Sequence, residues 1–209
     1  MQHIKHLSRD RRIKKLISSI PQIELKKGRH LHLDICSSII SQQLSVRVAE
    51  VIYGRFLDLF KKKKPSCSEI LSVPFAKLRS AGLSNSKAEY VRNVCAFFIE
   101  NKVTDAKLYK MDDEELITFL TQIKGVGRWT AEMILIFSLG REDVFALDDL
   151  GIQQAMTELY EIKAKEKKQM KLDMENISSS WKPYRTYACR YLWAWKNEQQ
   201  KLKKISGKK

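Results

Sequence analysis

Two glycines one residue apart, Gly125 and Gly127, interrupt a stretch that otherwise reads as helix: Ile123-Lys124-Gly125-Val126-Gly127-Arg128-Trp129-Thr130-Ala131. This spacing constrains the chain more than any other feature. It predicts a very tight turn between two helices, because residues without side chains let the backbone bend and approach closely. Turn amides left bare in this way can reach an anion, and the second helix aims the positive end of its dipole at the same place. A phosphate is the natural occupant. The pair Asp148 and Asp149 follows downstream, and a carboxylate at that distance suits an enzyme acting on a phosphodiester polymer better than a passive clamp.

The charge points the same way. A net charge of +15 over 209 residues favours a polyanionic partner, through long-range attraction and counterion release. Charge alone describes a merely basic protein equally well, so the weight rests on the turn. A hydrophobic fraction of 44% is ordinary for a globular chain, long enough for one compact domain or two small lobes. Cys36, Cys67, Cys95 and Cys189 lie far apart with no Cys-x-x-Cys pair, which argues against a zinc or iron–sulfur site and a secreted disulfide frame. Cys36 and Cys95 sit among apolar neighbours and read as buried thiols. The start, Met1 to His6, lacks an apolar signal core, and no run approaches the roughly 18 apolar residues of a membrane span. The expectation is an intracellular monomer without membrane contact, in the nucleoid or the nucleus according to its host.

Glycine (8) and proline (4) are scarce and apolar residues do not alternate, so the predicted class is all-α. Helices are expected over residues 8–19, 33–60, 68–72, 74–81, 86–101, 112–122, 129–139 and 150–160. The helix over 33–60 places Ile35, Ile39, Ile40, Leu44, Val48, Val51 and Ile52 on one face; the lysines at 61–64 and Pro65 end it in an exposed loop. The charged stretch 163–171 reads as solvated linker or helix edge. A last helix starts near 178–183 and runs to about 197, and residues 201–209 read as disordered. His3, His6, His30 and His32 all fall before the first core helix and read as surface residues.

Four segments, in order, carry a resemblance. Residues 120–131 resemble the helix–hairpin–helix of the DNA glycosylase superfamily. Val144-Phe145-Ala146-Leu147-Asp148-Asp149-Leu150-Gly151-Ile152 resembles its catalytic aspartate segment. Ile39-Ile40-Ser41-Gln42-Gln43-Leu44-Ser45 is similar to the segment that enters the minor groove in the alkylation-repair branch, and Trp181-Lys182-Pro183-Tyr184-Arg185 to that branch's last helix. Together they span residues 33 to about 196. The chain is similar to the 3-methyladenine DNA glycosylase II (AlkA-type) family. Members with an N-terminal β-domain need far more residues than the 32 that precede Leu33, so that domain is expected to be absent or reduced to a short helix.

The resemblance implies an all-α fold of two lobes around a central cleft. Its expected parts are a basic segment with a short helix at 1–32 packing on the C-terminal lobe, a lobe with the wedge at 33–115, a lobe with hairpin and aspartate at 116–198, and a disordered basic tail at 199–209. It implies excision of alkylated purines such as 3-methyladenine and 7-methylguanine from double-stranded DNA in base excision repair. Asp149 is the implied catalytic carboxylate, which would stabilise positive charge developing on the sugar; its place before a helix suits an ionised group, although aspartate also serves there as a plain N-cap. Asp148 is read as a cap or backbone contact. Trp129, Trp193, Tyr187 and Met133 are implied as base-pocket residues, the alternative for each being core packing. Gln42, Gln43, Lys124, Gly125, Val126, Gly127, Arg128 and Thr130 are implied as DNA contacts, with Gln43 the wedge. Trp129 stands where strand-cutting members carry a lysine, so a monofunctional enzyme is implied. No cofactor and no side-chain metal site are implied, apart from a Na+ or K+ ion that hairpin carbonyls commonly hold in this superfamily. A mismatch or deaminated-base glycosylase and a non-catalytic helix–hairpin–helix DNA-binding protein stay open as alternatives.

Overall fold

The computed structural model describes residues 1–206, and among them every regular element is a helix. In chain order these are Gln2–Leu7 (α1), Arg11–Ser19 (α2), Leu31–Ser41 (α3), Val46–Asp58 (α4), Cys67–Ser72 (α5), Phe75–Ser80 (α6), Asn85–Glu100 (α7), Asp105–Lys110 (α8), Asp113–Leu120 (α9) and Arg128–Met133 (α10). A π-helical turn at Ile134–Ser138 continues α10, and Leu150–Tyr160 (α11), Lys167–Ser179 (α12) and Arg185–Ser206 (α13) complete the chain. No described helix is long and apolar enough to cross a membrane.

The helices form two compact units, one of residues 26–139 and one joining residues 1–25 to the chain from Gly140 onward. The middle unit is centred on α3 and α7. Leu31, Ile35, Cys36, Ile39 and Ile40 on α3 and Val91, Val94 and Cys95 on α7 are fully buried there, as their helical spacing requires. The second unit buries Leu7, Ile13 and Leu16 from the chain's start with Ile152, Met156, Met174, Trp181, Tyr191 and Leu192. Asp10 fastens that start in place. Its Oδ1 caps α2 by accepting the Arg12 and Ile13 amides at 2.8 and 3.2 Å, and its Oδ2 accepts the Tyr160 hydroxyl at 2.5 Å and the Trp181 indole N–H at 3.1 Å. Burial pushes the Asp10 carboxyl up, but these four donors together bring it below its ordinary value.

Several sequence expectations need correction. The helix read over residues 8–19 begins only at Arg11 (α2), and a further helix that was not expected, α1, precedes it at Gln2–Leu7. The long helix at 33–60 breaks at Gln42–Ser45, where Gln43 adopts φ +59°. Residues 163–171, read as solvated linker or helix edge, are both: a link up to Glu166 and then the largely exposed start of α12, which buries Met174 and Ser178 farther along. The tail read as disordered from 199 is helical to Ser206, because Lys, Gln and Leu favour helix; residues 207–209 of that expectation lie outside the described residues. His3 is buried rather than surface-exposed, because its ring stacks on Tyr187 at 3.9 Å. The glycine turn lies in the compact unit of residues 26–139. The turn is tied to that unit by Gln42 Nε2 on the Gly125 carbonyl at 3.4 Å and Asn93 Nδ2 on the Lys124 carbonyl at 3.3 Å.

Candidate functional site

In the middle unit, α9 ends at Leu120 and the chain turns through Ile123–Gly127 into α10, with the Val126 amide donating to the Ile123 carbonyl at 2.9 Å. The two glycines are there for different reasons. Gly125 has φ +104°, and a Cβ on it would lie 2.2 Å from Tyr90 Cγ on α7, so both conformation and packing exclude a side chain. Gly127 is extended (φ −92°, ψ 172°), and a Cβ there would meet nothing within 4 Å. What Gly127 keeps open is the approach to the α10 N-terminus, where backbone N–H groups have no intrahelical partner.

Around the turn the implied DNA contacts separate. Val126 and Thr130 are buried. Val126 can therefore offer only backbone, and the Thr130 hydroxyl accepts from Gln42 Nε2 at 3.4 Å. Gln42 Nε2 also lies 3.4 Å from the Gly125 carbonyl, so this side chain binds the α3–α4 loop to the hairpin instead of facing outward. Gln43 is exposed beside it. Lys124 pairs with Glu89 at 2.7 Å, and Arg128 bonds Glu114 at 2.6 and 3.1 Å and Glu132 at 3.1 Å. The pairs with Glu89 and Glu114 are exposed and contribute little to stability, so a phosphate can displace those two partners, whereas Glu132 is buried.

Trp129 is 37% exposed and Met133 is half-buried behind it. Phe137, within the helix expected over 129–139, is 49% exposed. In a continuous α-helix, residues eight apart drift about 80° around the axis. The π-turn, with i→i+5 bonding and about 4.4 residues per turn, winds more slowly. It offsets that drift and brings Phe137 back toward the line of Trp129 and Met133, an apolar stripe on one helix. The only sequence signal was Phe137 itself, a large aromatic one α-turn beyond Met133.

The second unit holds Asp149. It caps α11, with Oδ1 accepting the Ile152 amide at 2.8 Å, and the same oxygen accepts the Trp193 indole N–H at 2.7 Å. Gly151 makes room for this: a Cβ on it would lie 3.0 Å from Asp149 Oδ1 and 3.2 Å from Trp193 Cδ1. The chain leading to Asp149 is tied down by the start of α13. Arg185 donates to Asp143 Oδ1 and Oδ2 at 2.8 and 2.9 Å, and the Val144 amide donates to Thr186 Oγ1 at 2.9 Å. Thus Trp181, Arg185 and Trp193, read from sequence as one motif-bearing helix, have separate tasks: Trp181 holds Asp10, Arg185 holds Asp143 and Trp193 holds Asp149. Asp148 is exposed and ion-paired with Lys171 of α12, a side-chain partner rather than the expected cap or backbone contact. Tyr187 is buried, with one face against His3 and its hydroxyl donating to Glu142 at 3.1 Å. Burial, then Glu142, pushes this phenol up to about 12.

Residues 36–180 match the family described as HhH-GPD superfamily base excision DNA repair protein. A DNA-3-methyladenine glycosylase of Schizosaccharomyces pombe is 32% identical over 88% of this chain and 80% of its own length. A putative DNA-3-methyladenine glycosylase of Bacillus subtilis is 34% identical over 74% of this chain, which spans 55% of that relative. Among solved structures, the S. pombe 3-methyladenine DNA glycosylase in complex with abasic DNA has a TM-score of 0.82 at 31% identity, covering 92% of this chain and 95% of that one. The match over residues 36–180 contains the glycine turn, Gln42, Gln43 and Asp149 alike, and the chain belongs to the HhH-GPD superfamily of base excision DNA repair proteins.

Proposed function

We propose that the chain is a monofunctional DNA glycosylase that hydrolyses the N-glycosidic bond of alkylated purines, 3-methyladenine and 7-methylguanine among them. The observation that carries this is Asp149: a family member's aspartate held at Oδ1 by an indole N–H and a helix amide. Both donors fix the direction of the carboxylate.

A base inside a duplex is out of reach, so the nucleotide must first swing out of the stack, at a cost of a few kcal/mol that is least for a damaged base. Gln43, exposed at the break between α3 and α4, is suited to fill the gap from the minor groove. The bare amides at Gly127 take the backbone phosphate. Trp129, with Met133 and Phe137, presents an aromatic face to a purine that carries positive charge once its ring nitrogen is methylated. Such a base leaves readily, so the reaction asks for no strong general acid. As the bond to the base breaks, positive charge grows on the sugar and the Asp149 carboxylate stabilises it. The same group can orient the attacking water and take its proton. No lysine stands at position 129 to form a Schiff base with the sugar, so the abasic strand is left uncut.

A Na+ or K+ ion at the turn belongs to the same reading. Backbone carbonyls are hard oxygen donors suited to it. A carbonyl oxygen has two lone pairs, so those of Ile123, Lys124 and Gly125 could each hold such an ion while accepting from Val126, Asn93 and Gln42, and the ion would add positive charge toward a phosphate.

The test is base release from a panel of duplexes carrying methylated, deaminated or ethenoadenine bases. The expected result is free 3-methyladenine and 7-methylguanine, with no nicking before alkali. Release of deaminated bases alone would move the protein to another substrate class, and release of nothing would reduce it to a DNA-binding protein.

A further inference from the structure

Lys87 stands at an unusual place. It is the third residue of α7, where the Ser84 hydroxyl caps its amide at 3.2 Å. The N-terminal turn of a helix disfavours a cation and welcomes a carboxylate. The explanation lies in what its ammonium touches. Lys87 Nζ donates to the Ile40 carbonyl at 2.9 Å and to the Gln42 carbonyl at 2.8 Å, at the C-terminal end of α3, where the helix dipole is negative and the last carbonyls need donors. Desolvation lowers this lysine's pKa, in keeping with an ammonium turned inward.

The rest of the loop is also accounted for. The Ile39 carbonyl accepts the Gln42 amide at 3.3 Å, and the Ser41 carbonyl accepts the Leu44 amide at 3.2 Å. The Gln42 side chain reaches the hairpin at Gly125 and Thr130. Gln42 is therefore held twice, by its side chain from the hairpin and by its carbonyl from α7. The next residue is Gln43, at φ +59°, a region that residues with side chains enter only under constraint.

We propose that Lys87 is a positioning residue for the minor-groove loop: its ammonium clamps the Ile40 and Gln42 carbonyls and so holds Gln43 in the left-handed conformation from which it enters the duplex. The inference rests on reading Gln43 as the wedge. Lys87 is then a cation that serves DNA repair without touching phosphate, unlike Lys124, whose ammonium lies on the exposed side of the turn.

The experiment is a double-mutant cycle of Lys87→Met and Gln43→Ala, with Lys87→Arg as the conservative variant. Three quantities are read: single-turnover release of 3-methyladenine, fluorescence of a 2-aminopurine beside the lesion as a report of base extrusion, and affinity for undamaged duplex against salt. Lys87→Met is expected to slow release about 10- to 100-fold and to reduce the 2-aminopurine signal. Its affinity and salt slope on undamaged duplex should match wild type, and Lys87→Arg should recover most of the rate. In the Gln43→Ala background, Lys87→Met should have little further effect, since the two act through one loop. Should Lys87→Met fail to fold, Lys87→Gln, which keeps one donor, carries the same expectation at smaller size. A wild-type rate in Lys87→Met alongside a slow Gln43→Ala overturns the clamp and leaves the wedge standing. A wild-type rate in Gln43→Ala overturns both. A salt slope lower by about one in Lys87→Met would make Lys87 a phosphate contact and also overturns the clamp.

Discussion

The hairpin of the middle unit and the Asp149 segment of the other unit serve one reaction class but are built on opposite principles. At the hairpin the working parts are backbone. Gly125 is fixed by a positive φ and by Tyr90, and Gly127 keeps an approach open. The charged side chains around them sit in exposed ion pairs. At Asp149 the working part is one side-chain oxygen, and its surroundings exist to hold it: the α11 amide, the Trp193 indole and a glycine that lets the indole in. Gripping a polymer needs donors that tolerate any sequence, which backbone provides. Stabilising a transient cation needs one charge at one point, which only a buttressed side chain provides. Substitutions should therefore damage the two regions in different currencies, affinity and folding at the first and rate at the second.

The sharpest break falls at Asp149. Asparagine is also a good N-cap and keeps an Oδ1 for both the Ile152 amide and Trp193, so Asp149→Asn removes the charge and little else. Release of 3-methyladenine is expected to fall about 100- to 1,000-fold, with melting temperature and duplex affinity near wild type. Equal rates for the two proteins would end the catalytic assignment.

Next comes a pair of glycine substitutions that ought to behave oppositely. Gly125→Ala forces a side chain into φ +104° and onto Tyr90, for an expected loss of about 2–4 kcal/mol of stability, read by denaturant unfolding. Gly127→Ala meets no atoms and an ordinary extended backbone, so its stability should change by less than about 0.5 kcal/mol. Gly127→Asp should fold as well as Gly127→Ala yet lose most duplex affinity, because its carboxylate faces the phosphate. Matching stabilities for the alanine variants would erase the distinction between the two glycines.

That distinction was only half legible in the sequence. The Gly-x-Gly spacing announced the turn because the signal is local, and α11 was placed at Leu150–Tyr160 because an aspartate cap and an apolar stripe coincide there. Local signals failed where charge was taken for disorder, in α13 from residue 199. They were silent where structure depends on distant residues. Nothing near Gly125 names Tyr90, nothing near Asp149 names Trp193, 44 residues away, and the π-turn that exposes Phe137 has no composition of its own. Thr130 and Tyr187 were matched to a motif, and both turn out to be buried; a motif records which residues recur and leaves unsaid which of them face the ligand.

Trp193→Phe asks how much of the rate depends on holding the carboxylate still. Phenylalanine keeps most of the packing on α13 but has no N–H for Asp149 Oδ1. The expected effect is about a tenfold fall in kcat with KM little changed, because the lost bond orients the acid without binding DNA. Gly151→Ala should give a similar loss by pushing the indole away from the oxygen. A rise in KM alone would turn Trp193 back into a wall of the base pocket.

The smallest effect belongs to Lys124→Ala. Its ammonium is exposed and its pair with Glu89 spans 2.7 Å at the surface, so folding should hardly register the change. Glu89→Gln, which frees the ammonium from its acidic neighbour, should strengthen duplex binding slightly, and Lys124→Ala should weaken it for damaged and undamaged DNA alike. If Lys124 neutralises one phosphate, the slope of log affinity against log salt falls by about one, while single-turnover release at saturating protein stays at the wild-type rate. A change in that rate instead would mean that grip and chemistry are not separable here, and the contrast between the hairpin and Asp149 would have to be given up.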